Sequence, residues 1–186
     1  MASQTWEQDK INLLKLSNEE SHSLAIESIE TALLQLMRRK EFDAIRVSDI
    51  VRRSGVSRSA FYKNYSTKED VLQQLIERNM EDVMQYIRTE SERSEQTDFW
   101  QLMFEALSDR SELFETICHS GKVGMLYDVF NTSALKSLHL FEEQNAYFML
   151  FYVGGVANVV INWIIGGMKE NAAEMSRILN IMISDH

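Results

Sequence analysis

The chain has 186 residues, 45% of them apolar and 25% charged, which is enough to bury the core of one domain or two small ones and excludes a disordered chain. The absence of proline, with only seven glycines and one cysteine, favours an all-α fold and excludes both an internal disulfide and a four-thiolate zinc site. The net charge of −9 is unevenly spread: residues 38–68 hold 9 Lys+Arg against 3 Asp+Glu, and residues 79–186 hold 7 against 16, so a small basic head precedes an acidic body.

The opening MASQTWEQDK lacks the basic and apolar zones of a signal peptide, so a cytoplasmic location is expected. The first helix is predicted to start between Asn18 and Ser23, with Ile26, Ile29, Leu33 and Leu36 at helical spacing. It ends in Arg38-Arg39-Lys40, a basic run that suits a helix C-terminus. Phe42 and Ile45 continue the apolar set through a short connection. A second short helix, Val47 to Ser54, turns Val47, Ile50 and Val51 to one face. Gly55 interrupts it, Val56 follows as a buried anchor, and Ser57 is a good N-cap for a third short helix ending near Tyr65.

Ser66-Thr67-Lys68-Glu69 fits a capping box for a fourth helix, with Ser66 as the cap and Glu69 reaching back. Leu72, Ile76, Val83 and Ile87 carry its period to about Glu90. A polar break follows at residues 91–98. Further helices are predicted at 99–108, over 111–140 with a turn or kink at Gly121 and Gly124, at 145–166, and at 171–183. Gly166-Gly167 is the expected stop of the long apolar one.

Two short helices joined through a glycine, with apolar residues fixing their angle, are the pattern of a helix-turn-helix. Ile50, Val56 and Phe61 are its expected core. The third helix is the natural recognition helix: Phe61 and Tyr65 face inward at i, i+4, leaving Arg58, Ser59, Tyr62, Lys63 and Asn64 outside. Arg and Lys address guanine edges, Asn addresses adenine, and Tyr and Ser hold phosphates.

Three stretches in order, Phe42 to Ile50, Ser54 to Tyr62 and Tyr65 to Leu72, resemble the DNA-binding region of the tetracycline-repressor (TetR) family over roughly residues 20–75. The resemblance implies a phosphate contact for Tyr62 and another for Lys68 at the start of the next helix. It implies base-edge contacts for Arg58, Ser59 and Lys63, with Asn64 beside them, and backbone contacts near Arg46 and Ser48. Ser57 and Thr67, at the starts of the third and fourth helices, complete the expected set. Val51 is a departure, since the family usually has alanine there. Phe151-Tyr152, Gly154-Gly155, Trp163 and Gly166-Gly167-Met168-Lys169-Glu170 resemble a C-terminal region shared by one subset of these regulators.

The run from Ala146 to Met168 holds no charge and no histidine, and by length alone it could span a bilayer. Asn158 and Asn162 sit mid-run, glycines interrupt it, and its flanks are not basic, so no membrane span is expected. A helix apolar all round is instead expected to be buried against its own bundle and a second subunit, where the two asparagines would need partners. Cys118 and His119 are adjacent and point about 100° apart on a helix, which does not make a catalytic pair. His22, His119, His139 and His186 show no metal-binding spacing. No enzyme, metal or cofactor is expected.

These readings together predict an all-α protein with two domains. Residues 1–65 would be an arm and helix-turn-helix DNA-binding domain. Residues 66–186 would be an effector-binding and dimerisation domain, with the helix 66–90 linking the two. The expected function is a ligand-responsive repressor that binds a palindromic operator in double-stranded DNA as a homodimer, because one short recognition helix reads too few bases alone. The expected effector is small and apolar or cationic. Its expected walls are Met103, Phe104, Leu107, Phe114, Met125, Tyr127, Phe148 and Tyr152, with Asn158 or Asn162 as polar anchors. An activator or a regulator answering to a protein partner is the alternative on the same fold, and a helical enzyme or carrier that binds no DNA is a further one.

Overall fold

The computed structural model describes the backbone of residues 2–94, 98–137 and 146–184, and the side chains within 20–94, 98–132, 147–148 and 150–183. Among the described residues it contains nine α-helices, one 3-10 turn and no strand, so the all-α expectation holds. His139, His186 and the predicted helix end at Leu140 lie outside the described residues. The chain divides into two compact units, residues 1–72 and 73–186.

The first unit is the head. Helix α1 (Ala2–Met37) begins well before the predicted Asn18 to Ser23 start. Neither glycine nor proline occurs between residues 2 and 37, so nothing in the backbone stops the helix from extending. A 3-10 turn (Phe42–Ala44) leads into α2 (Val47–Ser54), and α3 (Arg58–Asn64) follows. Helix α1 packs against both α2 and α3. Ile29, Leu33, Phe42, Ile45, Ile50, Phe61, Tyr65 and Leu72 are all buried. Val56, expected as a buried anchor, is only half-buried, whereas Phe42 and Ile45 are fully buried.

Gly55 ends α2 with φ +74° and ψ 1°. This left-handed backbone is what turns the chain sharply between the two helices. An L side chain there would carry about 1–2 kcal/mol of strain, although a methyl group would meet no neighbour. Beneath α3, the Tyr65 hydroxyl donates to Glu30 Oε1 at 2.9 Å, and burial pushes the phenol up to about 12. This polar link ties the end of α3 to α1 inside an otherwise apolar layer.

The fourth helix, α4 (Lys68–Arg93), runs unbroken across the division between the units. Its cap differs from the expected Ser66–Glu69 box by one residue. Thr67 Oγ1 accepts from Asp70 N at 3.0 Å, while Asp70 Oδ2 accepts from Ser66 N at 2.9 Å and Thr67 N at 3.1 Å. Threonine and aspartate spaced by three thus form the reciprocal pair. Asp70 has a shorter side chain than Glu69 but sits at the third helical position.

The second unit holds the rest of α4 with α5 (Phe99–Ser108), α6 (Ser111–His119), α7 (Val123–Ser137), α8 (Ala146–Ile165) and α9 (Ala172–Ser184). Helix α9 lies along α5, and α8 lies against α6 and α7. Asp98 organises the first pairing. One oxygen caps α5 by accepting from Trp100 N at 2.8 Å and Gln101 N at 3.2 Å, and the other accepts from Ser176 Oγ at 2.8 Å and Asn180 Nδ2 at 2.6 Å on α9. Burial pushes its pKa up, but the bonds from Ser176, Gln101 N, Asn180 and Trp100 N outweigh that and hold the carboxyl below its usual value. Phe104 meets Trp163 edge-on at 5.0 Å, and Trp163 Nε1 donates to Glu170 O, anchoring the turn at Gly167, φ +83°. Asn171 and Glu174 cap α9 reciprocally.

Candidate nucleic-acid interface

Helix α3 is held from below and open above. Its inner face is Phe61 and Tyr65, both buried, with ring centroids 6.0 Å apart. Its start is fixed by Ser57, whose Oγ accepts from Ala60 N at 3.0 Å and lies 3.0 Å from Ser59 Oγ. Arg58, Ser59 and Lys63 are exposed, and so is Tyr62 at 55%, its ring set edge-on against Phe61 at 5.3 Å. Thus one short helix presents two cations, a hydroxyl and a phenol on a single outer surface. Those are donors suited to base edges and phosphate oxygens.

Asn64 differs from the expected outward residue. It is half-buried, its Nδ2 donates to Ala60 O at 2.7 Å, and its Oδ1 is buried without a hydrogen-bond partner. Its amide thus folds back onto its own helix.

The entry of α2 is held by two charges of opposite sign. Asp49, at the third position of α2, accepts from Lys40 Nζ at 2.6 Å, Arg46 N at 3.1 Å and Arg52 at 2.9 Å. The hydrogen bond from Lys40 first, then that from the Arg46 amide, outweigh desolvation and hold its carboxyl down at about 2. The Lys68 ammonium donates to Phe42 O at 2.8 Å, Ile45 O at 2.9 Å and Asp43 O at 3.1 Å, and sits 4.7 Å over the Phe42 ring. Arg46, Ser48 and Thr67 are exposed beside this junction.

In the second unit, the ten residues expected around an effector differ in burial. Met103, Phe104, Leu107 and Phe114 are buried. Met125, Tyr127 and Tyr152 are half-buried, and Phe148 is exposed. Two pairs do meet: the Tyr127 hydroxyl donates to Asn158 Oδ1 at 3.0 Å, and Phe148 stacks on Tyr152 at 6.2 Å, with Trp100 tilted against Tyr152 at 6.3 Å. Asn158 and Asn162 are exposed in the single chain. Their side-chain amides donate to Gly154 O and Asn158 O, one turn back on α8.

Helices α8 and α9 leave apolar side chains exposed: Tyr147, Phe148, Leu150, Phe151 and Ile165 on α8, and Ile178, Ile181 and Met182 on α9. Leu179 and Met175 of α9 are buried in their own unit. No helix among the described residues is long and apolar enough to cross a membrane. Cys118 is half-buried, and burial, with help from Glu115, pushes its thiol up to about 11. His119 lies exposed, its Nδ1 2.8 Å from Glu115 O.

Sequence reasoning missed Lys68's three carbonyls, the Asp98 hub and the buried Tyr65–Glu30 link. Asp98 was legible as an N-cap residue directly before Phe99. Glu30 was legible as a carboxylate on the inner face of a helix lined by Ile26, Ile29 and Leu33.

The sequence profile described as "Bacterial regulatory proteins, tetR family" matches residues 29–75, and that described as "Transcriptional regulator C-terminal region" matches residues 94–185. The "Uncharacterized HTH-type transcriptional regulator YxbF" of Bacillus subtilis is 31% identical over 70 residues, 37% of this chain and 18% of that protein's length. The crystal structure of a TetR transcriptional regulator from Streptococcus agalactiae superposes on 91% of this chain and 98% of its own, with TM-score 0.62 and 15% identity. A structure from Syntrophomonas wolfei does so over 87% and 91%, with TM-score 0.57 and 16% identity. These two likenesses establish the fold.

Proposed function

Because the chain belongs to the TetR family of transcriptional regulators, we propose that it works as a repressor, a homodimer that grips a palindromic operator and releases it when a small effector binds. The observation that carries the DNA half is α3: a helix locked from below by Phe61 and Tyr65, capped by Ser57, and open on the face of Arg58, Ser59, Tyr62 and Lys63. In this reading Arg58, Ser59 and Lys63 meet base edges, and Tyr62 meets a phosphate. Arg46 and Ser48 meet the backbone at the start of α2, with Ser57 and Thr67 at the groove's edges. Asn64 contributes by holding the end of α3.

The dimer rests on the open apolar surface of α8 and α9. Exposed apolar side chains of this kind suit an interaction surface, and two recognition helices related by a two-fold axis read a palindrome. The effector half rests on the Tyr127–Asn158 and Phe148–Tyr152 pairs, which offer an aromatic wall with one polar anchor. Such a wall suits an apolar or cationic molecule.

Selection of bound sites from random duplexes tests the reading, followed by stoichiometry on the selected site. A palindromic consensus bound by two chains is expected, and its occupancy should fall with at least one apolar or cationic compound that raises the protein's melting temperature. A site bound by one chain, or no enriched site at all, would overturn it.

A further inference from the structure

We propose that Lys68 is a positioning residue of the head, a clamp on the turn that precedes α2, and not a ligand of DNA phosphate. The inference rests on the DNA-binding reading only for its last step.

An ammonium carries three protons and has no acceptor. In Lys68 these meet three acceptors, the carbonyls of Phe42, Asp43 and Ile45, at 2.8, 3.1 and 2.9 Å. Its charge also lies over the Phe42 ring, where the quadrupole attracts it. Reaching a phosphate would break at least one of these bonds and pull the cation off the ring. The three carbonyls belong to the 3-10 turn and the residue after it, where the chain's own helical bonding gives out. Oriented carbonyls at a helix end favour a cation.

The geometry links Lys68 to the interface through the chain itself. Ile45, whose carbonyl Lys68 holds, directly precedes Arg46, the cap residue of α2. Arg46 N is held in turn by Asp49, and Arg46 O accepts from Asp49 N and Ile50 N. Lys68 is the first residue of α4. The first turn of α4, the 3-10 turn and the start of α2 are therefore held together by one side chain. Movement at the start of α4 would carry the exposed Arg46 and Ser48 with it.

The experiment compares the full chain with its Lys68→Met variant, which keeps an unbranched stem over the Phe42 ring but has no donor and no charge. Amide exchange is read without DNA, and binding to a mixed-sequence 30-base-pair duplex is read against salt. A clamp predicts that the amides of Ala44, Ile45, Asp49 and Ile50 exchange about tenfold faster or more in Lys68→Met. It also predicts that duplex binding weakens with an unchanged salt slope, and that Lys68→Arg restores part of the protection. A phosphate ligand predicts unchanged exchange and a slope smaller by about one unit, and that result would overturn the proposal.

If Lys68→Met does not fold, the unmodified protein decides, through nitrogen-15 spectra of its lysine ammonium groups. A sharp Lys68 signal without DNA, with no coupling to phosphorus when duplex is added, supports the clamp. A signal seen only with duplex and coupled to phosphorus overturns it. If the unmodified protein shows no salt-dependent duplex binding, the DNA reading fails while the exchange result still judges the clamp.

Discussion

A side chain's position on a short helix decides whether it reads DNA or supports the residues that do. Arg58 and Lys63 stand clear of their helix, with exposed side chains, whereas Asn64 spends its amide on Ala60 O. We therefore expect Arg58→Ala and Lys63→Ala to relax preference at defined operator positions by roughly 1–3 kcal/mol for each lost base contact. Site selection with each variant would show it. Asn64→Ala should leave the selected sequence unchanged and lower the melting temperature. A new consensus from Asn64→Ala would return that residue to the reading surface. The inward pair Phe61 and Tyr65 and the cap at Ser57 were legible, since both follow from spacing and from what a serine does before a helix. The destination of Lys68 was not, because the residues it holds lie more than twenty positions earlier in the chain and no local pattern encodes that meeting.

Among the elements, α2 stands out for being held at its entry by charge as well as by packing. Asp49 is the acidic partner there, with its carboxyl held down at about 2 by Lys40 and the Arg46 amide. A carboxyl whose acidity is strengthened by folding stabilises the fold fully above its ordinary value of 3.8, and loses that effect as the pH falls through about 2. The head should therefore hold its melting temperature from neutral pH down to about 4 and then lose it toward 2. In an Asp49→Asn protein that part of the decline should be absent. Equal acid sensitivity in both proteins would place the cause elsewhere.

At this scale the sequence was a good guide to helices α2, α3 and α5, whose ends carry a glycine, a serine cap or an apolar start. It misjudged α1 because it expected the helix to begin at a capping residue, and a segment with neither proline nor glycine between residues 2 and 37 has no need to stop there. It set the α4 box one residue early because Ser66-Glu69 and Thr67-Asp70 both satisfy the same spacing. Only the actual turn of the backbone chooses between them.

For the whole molecule, the question is what covers α8 and α9. Leu179 packs inside its own unit, whereas Ile181 and Met182 are more than half exposed. Two substitutions on one helix should then fail differently. Ile181→Glu should leave the helical content intact and shift the protein toward monomers at micromolar concentration, with loss of operator binding. Leu179→Glu should lower the melting temperature by burying an unpaired charge. Sedimentation and circular dichroism would separate the two, and a dimer that survives Ile181→Glu would move the interface off this part of α9. A second expectation concerns the wall around Tyr127. Tyr127→Phe, which removes only the hydroxyl bonded to Asn158, should change the affinity of effectors that stabilise the protein by a few-fold, with operator affinity in their absence unchanged. Thermal shift with each compound would read it. The sequence announced an uncharged helix needing cover, but it could not say which of its residues the chain covers unaided. That division depends on how α9 lies along α5, a placement governed by Asp98 and its bonds to Ser176 and Asn180.

Cys118 has a practical bearing on how such questions can be studied. It is the chain's one cysteine, half-buried, with its thiol pushed up to about 11. At pH 7 only about one molecule in ten thousand would carry the thiolate that alkylating reagents require. The protein is thus supplied with a nearly silent background for thiol labelling. A cysteine introduced at an exposed position of α3 or α9 would take a fluorophore or spin label selectively, with the native sulfur left in place.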